Sequence, residues 1–199
     1  MLQKAFFKVD VVDRIYDTPV FEKTTPGNYS FTVPEEYNYV VIEYAGAGGG
    51  LCADGNVNNA GGKGSILRIS RSSISNRKIT GIVGGAGGRN ELSYVNNGGQ
   101  GYHNGEGGGQ YDAGPFRNTM GGGGGSTSVV YNNKIYEASA GGGASNQYSY
   151  GGKGGGTYGG LRKNGSGSGN DATDPNRIGL NPGNGYVKIW AGYDPYFKG

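Results

Sequence analysis

Cysteine is almost absent: Cys52 stands alone in 199 residues. A single thiol excludes an intramolecular disulfide framework, and without a second thiol or a histidine beside it in sequence it makes no zinc site. Charge of one sign is also missing. The chain has 18 Lys and Arg against 15 Asp and Glu, a net charge of +3, and its longest basic run is Arg77-Lys78. That spread gives no electrostatic footprint for a polyanion, so no nucleic-acid partner is expected. Long apolar runs are lacking as well. No stretch approaches the ~20 apolar residues of a membrane helix, and Lys8 and Asp10 interrupt the opening MLQKAFFKVDVVDRIYD before it reaches signal-peptide length. Neither membrane insertion nor a secretion signal is expected. Helical periodicity of any length is missing too.

The familiar chemical motifs are equally scarce. His103 is the single histidine, and it sits in GQGYHNGEGGG with no recognisable nucleophile motif, so it reads as an exposed loop residue. AGGKGS (60–65) is no phosphate-binding loop, because Gly64 follows Lys63 where Ser or Thr is required. GSGNDATDPN (167–176) carries oxygens, but without the ordered spacing of a calcium loop it reads as a solvated turn. No catalytic residue, metal or cofactor is therefore expected, and the chain is read as non-enzymatic.

What is abundant is glycine, with 45 residues, and tyrosine, with 16. The apolar fraction is 34%, too low for an ordinary side-chain core to run through the whole chain. Short β-prone runs stand out: FFKVDVV (6–12), YSFTVPEEYNYVVIEYAG (29–46), SILRISRSS (65–73), NRKITGIVGG (76–85), STSVVYNNKIYEAS (126–139) and NGYVKIWAG (184–192). Residues 65–73 and 76–85 are expected to form a hairpin. A second is expected around Asn132-Asn133, a dipeptide that tolerates the positive φ of a tight turn. Pro19, Pro26 and Pro34 belong at strand ends or edges. In the last run Tyr186, Lys188 and Trp190 should face one way, and Val187, Ile189 and Ala191 the other.

Between these runs lie GAGGG (46–50), AGGKG (60–64), GGAGG (84–88), GGQGYHNGEGGGQ (98–110), GGGGG (121–125), AGGGA (140–144), GGKGGGTYGG (151–160) and GSGSG (165–169). A flexible linker would occur once or twice. Glycine runs that punctuate the strands throughout 46–169 must be part of the fold, and the lack of a strict three-residue repeat excludes collagen. The alternative is a set of extended helices of polyproline II type. Lacking side chains, they can pack closely and bond backbone to backbone. Such bonding must offset the large backbone entropy that glycine loses on folding, so strands are needed as anchors. Gly48, Gly49, Gly50, Gly84, Gly85, Gly123, Gly142 and Gly155 are the expected structural glycines.

Several of these segments, in this order, resemble one family. NYSFTVPEEYNYVVIEYAGAGGG (28–50), GGKGSILRIS (61–70), ITGIVGGAGG (79–88), GGGGGSTSVVYNNKIYEASAGGGA (121–144) and NGYVKIWAG (184–192) are similar to the glycine-rich domain of phage tail-fibre adhesins. That domain also occurs in the extracellular region of anaplastic lymphoma kinase and leukocyte tyrosine kinase. The resemblance covers about residues 26–192. It implies an all-β fold, a β-sandwich-like base carrying glycine-rich loops packed as polyglycine II helices. Receptor members carry several cysteines, so this chain is closer to the phage type. Residues 1–25 are expected to attach the domain to a larger assembly, and 193–199 form a C-terminal tail.

Tyrosines beside glycine should rim such a lattice, because they have no side-chain core to enter. Tyrosine offers large contact area at low entropy cost, and paratopes combine it with Ser, Gly and Asn for that reason. Tyr102, Tyr111, Tyr148, Tyr150 and Tyr158 are the expected receptor-binding residues, with packing of the same rings against glycine backbone as the open alternative. The resemblance implies a virion protein of fibre or adhesin type. Its expected partners are other virion proteins and a host cell-surface glycan or protein, with a homo-oligomer also open. A purely structural capsid or tail decoration is the competing expectation.

Overall fold

The computed structural model describes residues 18–54, 57–88, 97–113, 116–145, 149–162 and 167–197; the expected strand at 6–12 lies outside them. Thirteen strands follow in chain order: β1 (Phe21–Lys23), β2 (Gly27–Thr32), β3 (Tyr39–Ala45), β4 (Cys52–Asp54), β5 (Val57–Asn59), β6 (Gly64–Ser73), β7 (Lys78–Val83), β8 (Gln110–Ala113), β9 (Phe116–Thr119), β10 (Thr127–Tyr131), β11 (Lys134–Ala138), β12 (Gly179–Asn181) and β13 (Tyr186–Gly192). The fold is all-β. A five-stranded antiparallel sheet runs β1-β13-β3-β6-β12, a four-stranded one runs β11-β10-β7-β2, and β4-β5 and β8-β9 form two-stranded ribbons.

The two large sheets share one apolar core. Val40, Ile42, Tyr44, Leu67, Val187 and Ile189 from the first meet Tyr29, Ile79, Val83, Val129 and Tyr131 from the second. Each is the alternate residue of its strand, as period two requires, and full burial of an aliphatic side chain contributes about 1.5–3 kcal/mol. Tyr29 is anchored through its hydroxyl, which donates to the Ser128 carbonyl at 3.0 Å. Burial, with Tyr44 nearby, raises its pKa far above the ordinary tyrosine value and keeps it a donor.

The hairpin expected from 65–73 and 76–85 does not form. β6 pairs with β3 and β12, whereas β7 pairs with β2 and β10, so the two runs lie in opposite sheets. Both carry a core-facing apolar row, which period two supplies to paired strands and to facing strands alike, and the edges of β6 are taken by β3 and β12 and those of β7 by β2 and β10. The Asn132-Asn133 hairpin is present, with φ of 48° and 59°, the left-handed geometry that suits the twist of flanking strands. β1 falls within residues 1–25, yet it pairs with β13 and is integral to the five-stranded sheet. The boundary at residue 26, where the resemblance begins, therefore does not separate this strand from the sheet.

The pairing of β3 with β6 slips between Val40 and Ile42, where Ser72 and Ile69 are the respective partners. One residue of β3 thus faces two of β6, which is a bulge, and bulges re-aim side chains. Strict alternation from Leu67 and Ile69 would send Arg71 into the core. Instead its guanidinium lies over the rings of Tyr39 (4.0 Å) and Phe197 (4.5 Å), which meet each other edge-on, and bonds Asp194 at 2.5 Å. Asn38 and Asp194 exchange two further bonds, which clasp the C-terminal tail to the sheet.

Above the sandwich the glycine segments bond to one another with a period of three. In 121–126, the N–H groups of Gly121 and Gly124 donate to Ala144 and Gly141, those of Gly122 and Gly125 to Gly88 and Gly85, and those of Gly123 and Ser126 to Glu106 and His103. Three neighbours are thus served in rotation, each running antiparallel. The segment 140–145 repeats the scheme: Ala140 and Gly143 donate to Gly155 and Gly152, Gly141 and Ala144 to Ala47 and Gly50, Gly142 and Ser145 to Asn170 and Gly167. Here the neighbour at 47–50 runs parallel. Every residue from Met120 to Val129 and from Ala138 to Ser145 is buried, so backbone hydrogen bonds replace side-chain packing in this layer.

Such approach leaves no room for Cβ atoms. A Cβ at Gly48, Gly49, Gly50, Gly84, Gly123 or Gly155 would fall well inside 3.0 Å of a neighbouring carbonyl oxygen, and one at Gly142 would lie 2.9 Å from that of Leu161. Gly85 differs, since its nearest neighbour would be Pro26 Cγ at 3.4 Å, an ordinary contact. Cys52 is buried against Met120, with the sulfurs 3.6 Å apart. Residues 167–172 belong to the lattice: Gly169 donates to Ala60, Ala172 to Lys63, and Asp171 accepts from the Lys63 N–H at 2.7 Å. Asp174 is buried and accepts from the Asn176 N–H, so the solvated turn expected there is only partly solvated.

Candidate functional site

One flank of the lattice gathers charged and aromatic side chains around a groove of about 330 Å³ lined by His103, Asn104, Glu106 and residues 153–157. Its floor is the backbone of Gly154, Gly155 and Gly156. Gly155 donates to Gly124 and Gly154 to Gly160, so the floor is fixed by the lattice beneath. Gly156 has φ +96°, a left-handed conformation that favours glycine, and it turns the chain so that Gly159 donates back to its carbonyl.

On one wall, the turn 101–104 is tied down by the Gly101 N–H donating to Asn104 Oδ1 at 2.9 Å and the His103 N–H to Ser126 Oγ at 2.9 Å. Tyr102 meets the His103 ring edge-on at 4.7 Å. His103 Nδ1 lies 2.6 Å from Glu137 Oε1 on β11. On the other wall, Glu106 Oε2 accepts from Arg162 Nη2 at 3.0 Å and from the Lys153 N–H at 3.4 Å. Partial burial pushes the Glu106 carboxyl upward, but the Arg162 and Lys153 hydrogen bonds and charges outweigh it and hold the group below its ordinary range. The Arg162 guanidinium stacks over Tyr150 at 3.9 Å, a cation–π contact that orients both. Tyr158 follows the floor, its N–H donating to Ser139 Oγ at 3.0 Å.

Of the five tyrosines singled out in the sequence, Tyr102, Tyr150 and Tyr158 stand on this flank, 39%, 39% and 43% exposed. None of the three is among the residues that line the groove; Tyr102 meets the lining residue His103, Tyr150 the Arg162 that bonds Glu106, and Tyr158 follows the lining residue Thr157. Tyr111 lies on β8, opposite Asn118 of β9, and Tyr148 lies outside the described residues. Sequence reasoning passed over Glu106, Glu137 and Arg162. Nothing in the sequence joins His103 to Glu137, 34 positions away; only the lattice does. Among the described residues, no group of three or more His, Cys, Asp or Glu could hold a metal ion, and no helix is long and apolar enough to cross a membrane.

No protein-family model matches the chain, and no curated protein matches it.

Proposed function

We propose that the chain is a non-enzymatic virion protein of a tailed phage, a fibre or adhesin-type component that presents this groove to a receptor on the host surface. The observation that carries the reading is the exposure of Tyr102, Tyr150 and Tyr158 beside residues of a groove whose floor is backbone held by hydrogen bonds. Rigid aromatic anchors on a fixed scaffold lose little entropy on binding, which is how recognition surfaces gain affinity. The three-residue bonding period supports reading the glycine segments as left-handed polyglycine II helices.

The test is attachment of the purified, labelled protein to a panel of intact bacterial strains, beside a variant carrying Tyr102→Ala, Tyr150→Ala and Tyr158→Ala. Saturable attachment that the variant loses while its circular dichroism is unchanged is the expected result. A folded protein that attaches to no strain would refute the adhesin role.

A second reading, a decoration or assembly module, draws support from apolar residues away from the groove: Ile178 is 55% exposed and Tyr196 88% exposed. Such side chains suit burial against other virion proteins or against further copies of the chain. Co-purification with assembled particles, without cell attachment, would favour it.

A further inference from the structure

We infer that the groove takes a neutral polysaccharide and discriminates against anionic ligands. The inference rests on reading this flank as the binding face, and it adds the chemistry of the ligand.

Charge is the first argument. Among the lining residues Glu106 is set against Lys153, and each of the neighbouring ion pairs brings a carboxylate, Glu137 beside His103 and Glu106 beside Arg162, so the groove offers no cluster of cations to concentrate an anion. Arg162 is already engaged on both sides, by Glu106 and by the face of Tyr150. A sialic or uronic acid, or a phosphate, would have to approach two fixed carboxylates without a free guanidinium fork to receive it.

Hydrogen-bonding capacity is the second. An ionised carboxylate is acceptor-only and has about four lone-pair sites. Glu106 uses one oxygen for Arg162 and the Lys153 N–H, and Glu137 uses one for His103. The remaining capacity suits donors, and the donors that a neutral sugar offers in quantity are its hydroxyl groups. Asn104 and Thr157 line the same groove and complete a polar set that accepts and donates.

Shape is the third. Pyranose rings present apolar C–H faces that pack on aromatic rings, and the exposed Tyr102 and Tyr158 stand beside the lining residues His103 and Thr157. At about 330 Å³ the groove is at the small end of ligand sites, ~300–1,000 Å³. That size suits one or two sugar units.

The experiment applies the labelled full-length protein to an array of neutral and anionic oligosaccharides, with Tyr102→Ala and the isosteric Glu106→Gln as variants and circular dichroism as the check on folding. Binding to one or more neutral glycans, weakened at least tenfold in each folded variant, is the expected result. Should Tyr102→Ala misfold, the exposed Tyr158→Ala replaces it. Binding confined to anionic glycans, or neutral binding that none of the variants weakens, would overturn the inference. If the protein attaches to cells through its tyrosines but binds no glycan, the ligand chemistry is wrong and the adhesin reading stands. Failure in both assays removes both.

Discussion

A single methyl group at Gly123 should cost about as much as a core truncation. In the lattice an alanine Cβ at that position would lie 2.8 Å from the Gly154 nitrogen, with the carbonyl carbon and oxygen of Lys153 closer still. All three are backbone atoms, so no side-chain rotation relieves the clash and the segments must part. Gly123 donates to Glu106 at 2.9 Å and accepts from Gly99 at 2.8 Å. Each such bond contributes about 0.5–1.5 kcal/mol net, and a buried group left unpaired costs about 1–3 kcal/mol. Restricting the unfolded chain by Gly→Ala returns only about 0.4–1 kcal/mol. Sterics win, and Gly123→Ala should lose about 2–4 kcal/mol of the ~5–15 kcal/mol that stabilises a typical domain. Gly85→Ala is the internal control. Its methyl meets Pro26 Cγ at 3.4 Å, so only the entropic term acts, and the variant should be unchanged or up to about 1 kcal/mol more stable. Urea unfolding followed by fluorescence of the single tryptophan, Trp190, reports both. Equal midpoints for the two variants would refute the claim that backbone contact, rather than glycine content, holds this layer.

Three further outcomes are expected. Ile42→Ala, at a fully buried position between the two sheets, should cost about 2–5 kcal/mol in the same urea titration; a loss under 1 kcal/mol would mean that the sheets do not share a packed core. Asn133→Val places a β-branched residue at φ 59° and should cost about 1–2 kcal/mol by thermal unfolding, while Asn133→Gly should be tolerated. Glu106 and Asp194 both have lowered pKa values, the first because Arg162 and Lys153 outweigh burial, the second because the Tyr196 N–H and Arg71 bond its carboxylate. A depressed carboxyl contributes stability that is fully present above its unfolded pKa and is lost as pH falls through the folded one. Stability should therefore decline on acidification below the ordinary carboxylate range, and Glu106→Gln should flatten that slope; a steeper slope in the variant would contradict the assignment.

Local patterns in the sequence determined a good deal. β-prone composition in 39–45 and 186–192 specified two strands, and alternation in the second specified that Val187, Ile189 and Ala191 share one face, because period two is a property of the strand itself. Asn132-Asn133 specified a turn, since asparagine tolerates left-handed φ. Glycine runs recurring among the strands over 46–169 required a layer without side chains, and tyrosines beside them were left to its rim. Pairing was not legible. SILRISRSS and NRKITGIVGG have the same periodicity whether they pair or face each other across the core, and only burial of both apolar rows against a common interior places them in opposite sheets. The bulge that turns Arg71 outward also leaves no local trace, because one slipped pair depends on the partner strand. The groove was hidden for the same reason. Glu137 lies on a strand, His103 in a turn, Arg162 and Glu106 on separate glycine segments, and they meet because backbone hydrogen bonds fix how those segments stack.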